Sequence, residues 1–405
     1  MGKTTPIEFD LVIVGGGLAG LSMANALLSN PVTSKLNIAI VEAFEAKNSL
    51  HTSFDAKAIA IAYGSAMQLA NWQVWPYLKN LCQPIQKIEV SELGSAGYSF
   101  LDCPENQSAL GFVVEAQQFG AALTQSLADL KNADSQLTWF CPDELVSLAQ
   151  SSAGNLLQLK SGQVLSTKLV LACDGGNSQL RQLISPRFQQ DDYSQFALTA
   201  NIAVDKAHQN IAYERFTENG PLALLPMADD RFGVVWCGEQ TQVADRMALS
   251  DADFIQALQA AFGYRAGRIT QLGARASYPL KRSWVSENYH QGVVFLANAS
   301  HTVHPIAGQG FNLGLRDIAA ATKSIEAAVL HKQDLSSYQT WQGYLQQRQG
   351  DIHFVLNSTD NLVRLFSNQN PLLKLGRNIG LLGLEFLPPV KRKLAQSAMG
   401  LNSGV

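Results

Sequence analysis

The chain has 405 residues, of which 46% are hydrophobic and 16% charged, and its formal net charge is −3. This length predicts about two domains with a large core, since a domain takes roughly 100–200 residues. The small net charge, without a long basic run, argues against a nucleic-acid partner. The five cysteines form no close pair, which argues against a disulfide framework and favours a cytoplasmic protein. No stretch reaches the roughly 18 uninterrupted apolar residues of a spanning helix.

The N-terminus predicts a nucleotide-binding unit. Phe9–Val14 is typical of a buried strand, a glycine-rich loop follows over residues 15–20, and an alanine- and leucine-rich helix continues to about Ser29. A second strand, Asn37–Val41, ends in Glu42. Strand, G-x-G-x-x-G, helix, strand and acid together indicate a dinucleotide site, with a fortuitous glycine-rich turn as the alternative. FAD is preferred over NAD because the unit stands at the extreme N-terminus.

Each residue type in this unit has a mechanical reason. Gly15 allows the tight turn, Gly17 lets a pyrophosphate approach the backbone, and Gly20 lets helix and strand pack closely. Glu42 can accept hydrogen bonds from an adenosine ribose.

The middle of the chain predicts short elements separated by turns. Asp55–Ala62 reads as a strand or short helix, in which Lys57 is the one cation; a solvated surface lysine is its simplest interpretation. The further predicted segments are a mixed region over 71–109, a strand end and amphipathic helix over Val113–Leu130, and strands at Gln136–Ser147, Leu156–Lys160 and Val164–Ala172.

The last of these strands leads into Asp174 and Gly175. A carboxylate at the carboxyl end of a strand, followed by glycines, points toward the crevice where ligands bind in open α/β sheets. A plain Asp-Gly turn with Ser178 as a helix cap explains the same residues equally well.

Residues 193–237 predict an antiparallel sheet, which we assign to a substrate domain inserted in the nucleotide fold. Ser250–Phe262 predicts a helix with Ser250 as its cap, and the chain is predicted to be helical from Leu335 onward. The predicted sheet strands are Tyr193–Val204, Ile211–Phe216, Leu222–Pro226 and Arg231–Cys237.

Residues 297–317 carry the second glycine loop. The apolar run Val293–Leu296 predicts a buried parallel strand, and Gly308-Gln309-Gly310 opens a helix toward Leu330. The free amides and positive dipole end of such a helix suit an anion or an electron-rich ring edge. Alone, these glycines would indicate an ordinary turn; their pairing with the N-terminal unit favours a ligand site.

Two other features have competing interpretations. His301 and His304 are three residues apart, but no third ligand has a matching spacing, so we expect no metal. Pro371–Ala398 is apolar with flanking cations and can lie on an anionic membrane surface, whereas a helix packed on the core is an equally good interpretation.

Together these segments resemble the class A flavin monooxygenases, the aromatic hydroxylases with a para-hydroxybenzoate-hydroxylase-like fold. D-G-x-x-S-x-x-R over Asp174–Arg181 and H-P-I-A-G-Q-G-F-N-L-G-L-R-D over His304–Asp317 are most similar to the ubiquinone-biosynthesis hydroxylases. The resemblance covers nearly the whole chain. It also includes residues 54–60, Glu214–Thr217, Gly220–Met227, Val235–Cys237 and Gly376–Leu381.

The resemblance implies an α/β fold: a Rossmann-like FAD-binding domain, an inserted, mostly antiparallel substrate-binding sheet, and a helical C-terminus. The implied domains are residues 1–70, 110–185 and 288–335 for FAD, 71–109 and 186–287 for substrate, and 336–405 for the helical region.

The resemblance also assigns site residues. Pro305, Gln309 and Gly310 would form the environment of the flavin edge. The residues implied to bind FAD are Gly15, Gly17, Gly20, Glu42, Lys57, Asp174, Gly175, Asn298, Gly308 and Asn312. Asp174 and Gly175 would also lie where NAD(P)H passes.

Two positions depart from the family pattern. The family has Gly-Asp where this chain has Ala297-Asn298, and an amide lacks the charge-assisted strength of a carboxylate. The family commonly has arginine at the position of Lys57. A lysine cannot bind a phosphate through two parallel hydrogen bonds as an arginine can. We expect both departures to weaken the hold on FAD.

The implied activity is hydroxylation of the ring of 2-polyprenyl-6-methoxyphenol in ubiquinone biosynthesis, with O2 and with NAD(P)H as electron donor. Hydroxylation of another ring position, and reduction or epoxidation of a prenyl lipid, are the alternatives; an FAD-binding scaffold is the non-enzymatic one. Tyr193, Tyr213 and His208 are candidates for a general base by residue type only.

The implied setting is the cytoplasm with peripheral contact on the inner face of the cytoplasmic membrane, together with an assembly of ubiquinone-biosynthesis proteins.

Overall fold

The computed structural model describes residues 5–45, 57–94, 97–130, 136–305, 308–366, 383 and 387–401. Its strands are β1 (Ile7–Val14), β2 (Asn37–Val41), β3 (Ala58–Ala62), β4 (Gln83–Ile85), β5 (Lys87–Glu92), β6 (Tyr98–Asp102), β7 (Gly111–Glu115), β8 (Gln136–Phe140), β9 (Leu145–Ser151), β10 (Gly154–Leu159), β11 (Val164–Ala172), β12 (Phe188–Val204), β13 (Ile211–Thr217), β14 (Gly220–Met227), β15 (Arg231–Glu239), β16 (Ile269–Leu272), β17 (Ala276–Val285), β18 (Tyr289–His290), β19 (Val293–Phe295) and β20 (His301–Thr302). Its helices are α1 (Leu18–Leu28), α2 (Tyr63–Asn71), α3 (Trp75–Leu78), α4 (Ala116–Leu130), α5 (Gln179–Ile184), α6 (Gln240–Ala248), α7 (Asp251–Phe262), the 3₁₀ turn η1 (Ala297–Ala299), α8 (Gln309–Leu330), α9 (Tyr338–Phe366) and α10 (Pro388–Ala398).

The first sheet has the strand order β18-β19-β11-β1-β2-β8, in which every pair is parallel except β18 with β19. β1 pairs in parallel with β11 and β2, and β19 extends the parallel set beyond β11. Both faces of β1 are covered: Leu11 and Ile13 pack into one apolar core, whereas Val12 and Val14 pack into another. Burial on both faces explains why this strand is almost continuously apolar.

Helices α1, α4 and α8 cover one face of the first sheet. Met23 and Leu27 from α1, Phe119 and Leu123 from α4, and Ile318 from α8 belong to the same core as Leu11. The β9–β10 hairpin covers the other face and pairs antiparallel with β11.

The second sheet has the order β20-β17-β12-β15-β14-β13-β5-β6, with β16 beside β12. Its pairs are antiparallel except β13 with β5. Strands β12 to β17 lie in the chain between β11 and β19 of the first sheet, so this sheet is an insertion, as predicted. Helix α7 packs on it and begins after Ser250, whose hydroxyl accepts the Asp253 amide at 3.2 Å. The predicted cap is therefore confirmed.

A small third sheet, β3-β7-β4, completes the strand architecture. It decides the ambiguity at 55–62, since Ala58–Ala62 is a strand that pairs antiparallel with β7. Two predicted segments lie outside the described residues, namely 54–56 and 376–381. Of the predicted segment Pro371–Ala398, the structure describes only Gly383 and the residues from 387 onward. Of the helices in the described ranges, none has the length and apolar character needed to cross a membrane.

The predicted fold class is confirmed: a parallel, helix-covered sheet carries an inserted, mostly antiparallel sheet, and α9 and α10 form a helical C-terminal part. The division into domains at the stated boundaries stays a prediction.

Candidate active site and cofactor cradle

The first glycine loop joins β1 to α1, and backbone sterics fix its shape. Gly15 has φ +101°, and a Cβ there would lie 2.5 Å from the Cys173 carbonyl oxygen. A Cβ on Gly20 would lie 1.8 Å from the Gly15 oxygen, so only glycine lets α1 pack this close. Among the described residues, nothing lies within 4 Å of the place where a Cβ on Gly17 would stand, and no side chain caps the N-terminus of α1. The predicted tight turn at Gly15 and the close packing at Gly20 are confirmed, whereas the approach of a pyrophosphate to Gly17 stays a prediction.

Glu42 lies directly after β2 and contacts the same loop. Its Oε2 accepts the Gly16 amide at 2.5 Å, and its Oε1 accepts the Phe44 amide at 3.0 Å. Part of the carboxylate therefore stabilises the loop, and its predicted contact with a ribose stays a prediction.

Asp174 lies at the carboxyl end of β11, where the sequence placed it. Its Oδ2 accepts the Leu180 amide at 3.1 Å, while Oδ1 is buried and has no hydrogen-bond partner among the described residues. Burial raises the pKa of this carboxyl, and hydrogen bonds from Ser178 and nearby amides act against that rise. Ser178 also caps α5 by accepting the Arg181 amide at 3.0 Å, so the alternative interpretation of this turn holds as well.

The second glycine loop, at the start of α8, is held by side chains. Gly308 has φ +60°, and a Cβ there would meet the Ala60 side chain at 2.9 Å. Asn312 Nδ2 donates to the carbonyl oxygens of Ala60 (3.0 Å) and Gly308 (2.8 Å), and Oδ1 accepts the Ala62 amide at 2.8 Å. The side-chain amide of Asn312 thus connects β3 to the loop, and both of its N–H donors bond within the protein. Its predicted contact with FAD stays a prediction.

Asn298 projects from the turn η1, between β19 and β20. Ala297 adopts φ +49°, in the left-handed region, and its amide donates to Asp317 Oδ2 at 2.9 Å. On the other side of the turn, Arg181 Nη1 donates to the Ala299 carbonyl at 2.9 Å. Sequence reasoning missed both of these contacts, because the residues that make them lie far away in the chain.

A cavity of about 1040 Å³ brings these pieces together. The predicted site residues that line it are Gly17, Lys57, Gly175, Asn298, Pro305, Gly308, Gln309, Gly310 and Asn312. Gly15, Gly20, Glu42 and Asp174 lie behind this lining, where they shape or support the loops. Helices α1 and α8 thus present their N-termini, both without a side-chain cap, to one space.

The cavity continues from the loops along the inserted sheet. Its apolar wall there includes Leu101, Leu225 and Val235, and Ile88 and Val90 extend it along β5. It reaches α10, where Leu394 and Ala398 line it. The space therefore combines a polar, glycine-rich part with a long apolar part.

Known proteins share this architecture and much of the sequence. The family model described as an FAD binding domain matches residues 122–341. Ubiquinone hydroxylase UbiL of Rhodospirillum rubrum is 30% identical over 96% of this chain and 89% of its own length.

The chain belongs to the FAD-dependent ubiquinone hydroxylases.

Two further comparisons agree with that family. The 3-demethoxyubiquinol 3-hydroxylase of Escherichia coli is 29% identical over 97% of this chain and 98% of its own length. The crystal structure of p-nitrophenol 4-monooxygenase PnpA from Pseudomonas putida superposes with a TM-score of 0.80 at 14% identity, covering 99% of this chain and all of that one. This last likeness concerns the fold alone. The family is one of FAD-dependent aromatic monooxygenases, for which NAD(P)H is the typical electron donor.

The geometry of this member of the family fits FAD. Two helix N-termini without side-chain caps face one cavity, and Gly17 leaves room for a close approach of phosphates. Asp174 Oδ1 is a buried acceptor for which the described residues supply no donor. Gln309 and Gly310, at the positive end of α8, offer amides suited to the electron-rich edge of a flavin.

The candidate bases of the hydroxylase occupy different places. Tyr213 lines the cavity, and burial, followed by the nearby Glu89, raises the pKa of its phenol. It therefore stays protonated near neutral pH and can donate a hydrogen bond. His208 Nε2 is 2.9 Å from the Met227 carbonyl, and neither His208 nor Tyr193 lines the cavity. Burial raises the pKa of Tyr193 to about 12, which further argues against it as a base.

The two histidines considered as metal ligands have protein partners. His301 Nε2 lies 2.7 Å from Asp317 Oδ2, and His304 Nε2 lies 3.3 Å from Gln195 Oε1. Burial lowers the pKa of His304 to about 4, so its ring is neutral at physiological pH.

Proposed function

We propose that this ubiquinone hydroxylase oxygenates the ring of 2-polyprenyl-6-methoxyphenol. The observation that carries the proposal is the long apolar part of the cavity, from Val235 past Leu101 to Leu394. Ligand sites commonly enclose about 300–1,000 Å³. A cavity of about 1040 Å³ that continues from the cofactor loops to α10 offers apolar contacts to an isoprenoid tail.

The protein's part in the reaction is to bind, orient and exclude water. When bound, FAD supplies the activation of O2 after reduction by NAD(P)H. Gln309, Gly310 and Pro305 would hold the reactive edge of the flavin, and Asn298 its sugar chain. The apolar wall keeps water from the ring, and the protonated Tyr213 is suited to donate a hydrogen bond to a phenol oxygen.

Lipid extracts from cells that lack the protein test the substrate. We expect 2-polyprenyl-6-methoxyphenol to accumulate and ubiquinone to be lost, as measured by mass spectrometry. Unchanged ubiquinone would contradict the proposal. Purified enzyme with ¹⁸O2 and NAD(P)H should place one labelled oxygen on the ring.

Hydroxylation of another ring position is the second candidate, and the name of the Escherichia coli relative favours it. Accumulation of a different prenylated intermediate in the same extracts would support this candidate and move the hydroxylation to another carbon.

The apolar part of the cavity can be tested separately with Leu101→Trp. Because the larger side chain narrows this part, we expect KM to rise about tenfold for a long-tailed substrate and little for one with a single isoprene unit. Leu183→Trp is the matched control, since Leu183 is exposed and lies outside the lining. An equal effect of Leu101→Trp on both substrates would contradict the placement of the tail.

We also propose that the enzyme works at the inner face of the cytoplasmic membrane, within an assembly of ubiquinone-biosynthesis proteins. A polyprenyl substrate resides in the bilayer. Leu387, directly before α10, and Val390 and Leu394 within it are exposed beside Arg392 and Lys393. Removal of residues 371–398 should shift the enzyme from the membrane to the soluble fraction; an unchanged distribution would contradict this attachment. Co-purification of pathway enzymes from a lysate prepared in mild detergent tests the assembly.

A further inference from the structure

A buried cluster of charges lies between α8 and α9, directly behind the turn that carries Asn298. Asp317 and Arg348 are both 0% exposed, and Arg348 Nε donates to Asp317 Oδ1 at 2.7 Å. Arg348 also pairs with Asp351, which in turn accepts Arg316 Nη1 at 2.9 Å. Four charges of alternating sign thus connect the back of the turn to Arg316 and Asp351 in the cavity wall.

The second oxygen of Asp317 binds the turn on both sides. Oδ2 accepts the Ala297 amide at 2.9 Å and the His301 ring nitrogen at 2.7 Å. These contacts enclose η1, the turn from which Asn298 reaches the cavity. Since Ala297 adopts a left-handed conformation that an L-residue disfavours, the turn depends on such external bonds.

Asp317 is ionised despite its burial. Burial alone would raise the pKa of its carboxyl, but His301 and Arg348 more than offset this and lower the pKa to about 2. A carboxylate accepts stronger hydrogen bonds than a neutral group. Removal of Arg348 would take one of these two partners away from the buried charge, which weakens every bond that Asp317 makes.

We infer that Asp317 and Arg348 are positioning residues for FAD: they fix η1 in the geometry that turns Asn298 toward the cofactor. Asp351 fixes Arg348 from the other side. The inference rests on the proposed contact between Asn298 and FAD, but not on the identity of the substrate. A cluster that served only the stability of the core would leave the affinity for FAD unchanged.

The test measures the dissociation constant of FAD. The holoenzyme is diluted serially at a temperature well below the midpoint of unfolding, and the released FAD is measured by the recovery of its fluorescence. We expect Arg348→Met to raise the dissociation constant of FAD about tenfold, in line with the loss of a charge-assisted bond. Arg348→Lys, which keeps the charge without the planar fork, should restore part of the affinity.

Arg275→Met is the matched control. Arg275 is also largely buried and binds Asp251 and two carbonyls, but it lies outside the lining of the cavity. Its loss should lower the unfolding temperature and leave FAD affinity unchanged. The inference is overturned if Arg348→Met changes the dissociation constant of FAD no more than Arg275→Met does.

Two further variants keep the inference testable if Arg348→Met fails to fold. Asp351→Asn removes the outer charge that Arg348 and Arg316 share, and we expect FAD to bind about threefold more weakly; unchanged affinity would overturn the inference. Asn298→Ala, added to Asp351→Asn or to Arg348→Lys, should weaken FAD binding little further, because each of these substitutions acts through the same turn. Full additivity of the two effects would contradict that route. No substrate is present in these assays, so failure of the proposed substrate would leave their results unaffected.

Discussion

The N-termini of α1 and α8 face the same cavity but are fixed in different ways. Both helices follow a strand and a glycine loop, and neither has a side-chain cap. Before α1, close main-chain packing sets most of the geometry, since a Cβ on Gly15 would meet the Cys173 carbonyl and a Cβ on Gly20 would meet the Gly15 oxygen. The Glu42 carboxylate adds one bond, to the Gly16 amide. Before α8, bonds from Asn312 to β3, 250 residues away in the chain, fix the loop. A loop shaped mainly by main-chain packing therefore depends little on any one side chain, whereas a loop tied by remote side chains depends on each tie.

The largest effect is expected at the backbone-fixed loop. Gly20→Ala would place a Cβ 1.8 Å from the Gly15 oxygen, and main-chain atoms cannot move away as a side chain can. We expect a loss of more than about 3 kcal/mol in the free energy of unfolding, measured by urea denaturation. Gly343→Ala is the control, since an added Cβ on this exposed position of α9 meets nothing within 4 Å. The control should gain up to about 1 kcal/mol.

The α8 loop should also be the acid-sensitive one, through His304. Burial lowers the pKa of this ring from 6.5 to about 4, so the unfolded chain binds a proton more readily than the folded one between these pH values. Stability is then fully present above pH 6.5 and falls by about 3 kcal/mol on acidification to pH 4. His304→Gln should flatten the dependence in this window, as measured by urea midpoints at several pH values.

The control for His304 is Gln195→Ala, which removes a facing side chain but keeps the imidazole. The acid sensitivity should persist in that variant. An unaltered pH profile in His304→Gln would show that other groups cause the acid sensitivity.

Asn312 tests the ties between α8 and β3. Asn312→Ala removes three hydrogen bonds and leaves the Ala62 amide and the Ala60 carbonyl without this partner. We expect a loss of about 2 kcal/mol in the free energy of unfolding. Asn298→Ala, an exposed asparagine of the same cavity, should change it by less than about 0.5 kcal/mol. Equal losses in both variants would contradict the special role of Asn312.

The same contrast explains what the sequence could predict. The α1 loop is encoded within a few residues, so strand, glycine spacing and helix were predictable together, as were β2 and the Ser250 cap. The departure at Ala297 was visible, but its left-handed conformation was not.

The supports of the second loop could not be predicted, because Asp317 and Arg348 lie on different helices and meet only in the folded chain. Arginine and aspartate at positions such as 316, 317, 348 and 351 usually indicate an exposed helix face. The contact of Asn312 with FAD stays a prediction, but the sequence did not reveal that both N–H donors of its side-chain amide bond within the protein.

The smallest effect is expected at Ala297, and it tests how the second loop tolerates strain. Ala297→Gly relieves the left-handed backbone, which costs an L-residue about 1–2 kcal/mol, but glycine also adds entropy to the unfolded chain. We expect a net gain of at most about 1 kcal/mol in the free energy of unfolding, measured by thermal and urea denaturation.

The double variant Ala297→Gly with Asp317→Asn tests whether the Asp317 carboxylate fixes the turn that carries Asn298. If the Asp317 carboxylate holds Ala297 in its strained conformation, the glycine should stabilise the Asp317→Asn protein less than the unaltered one, because the weaker acceptor lets the alanine backbone relax and leaves less strain for glycine to relieve. Equal gains in both backgrounds would mean that the shape of the turn comes from its own contacts. One such contact is the close approach of the Ala297 methyl to Gly314, where a Cβ would lie 2.8 Å away. In that case the α8 loop would be fixed by local sterics, as the α1 loop is, and the difference between them would be one of degree.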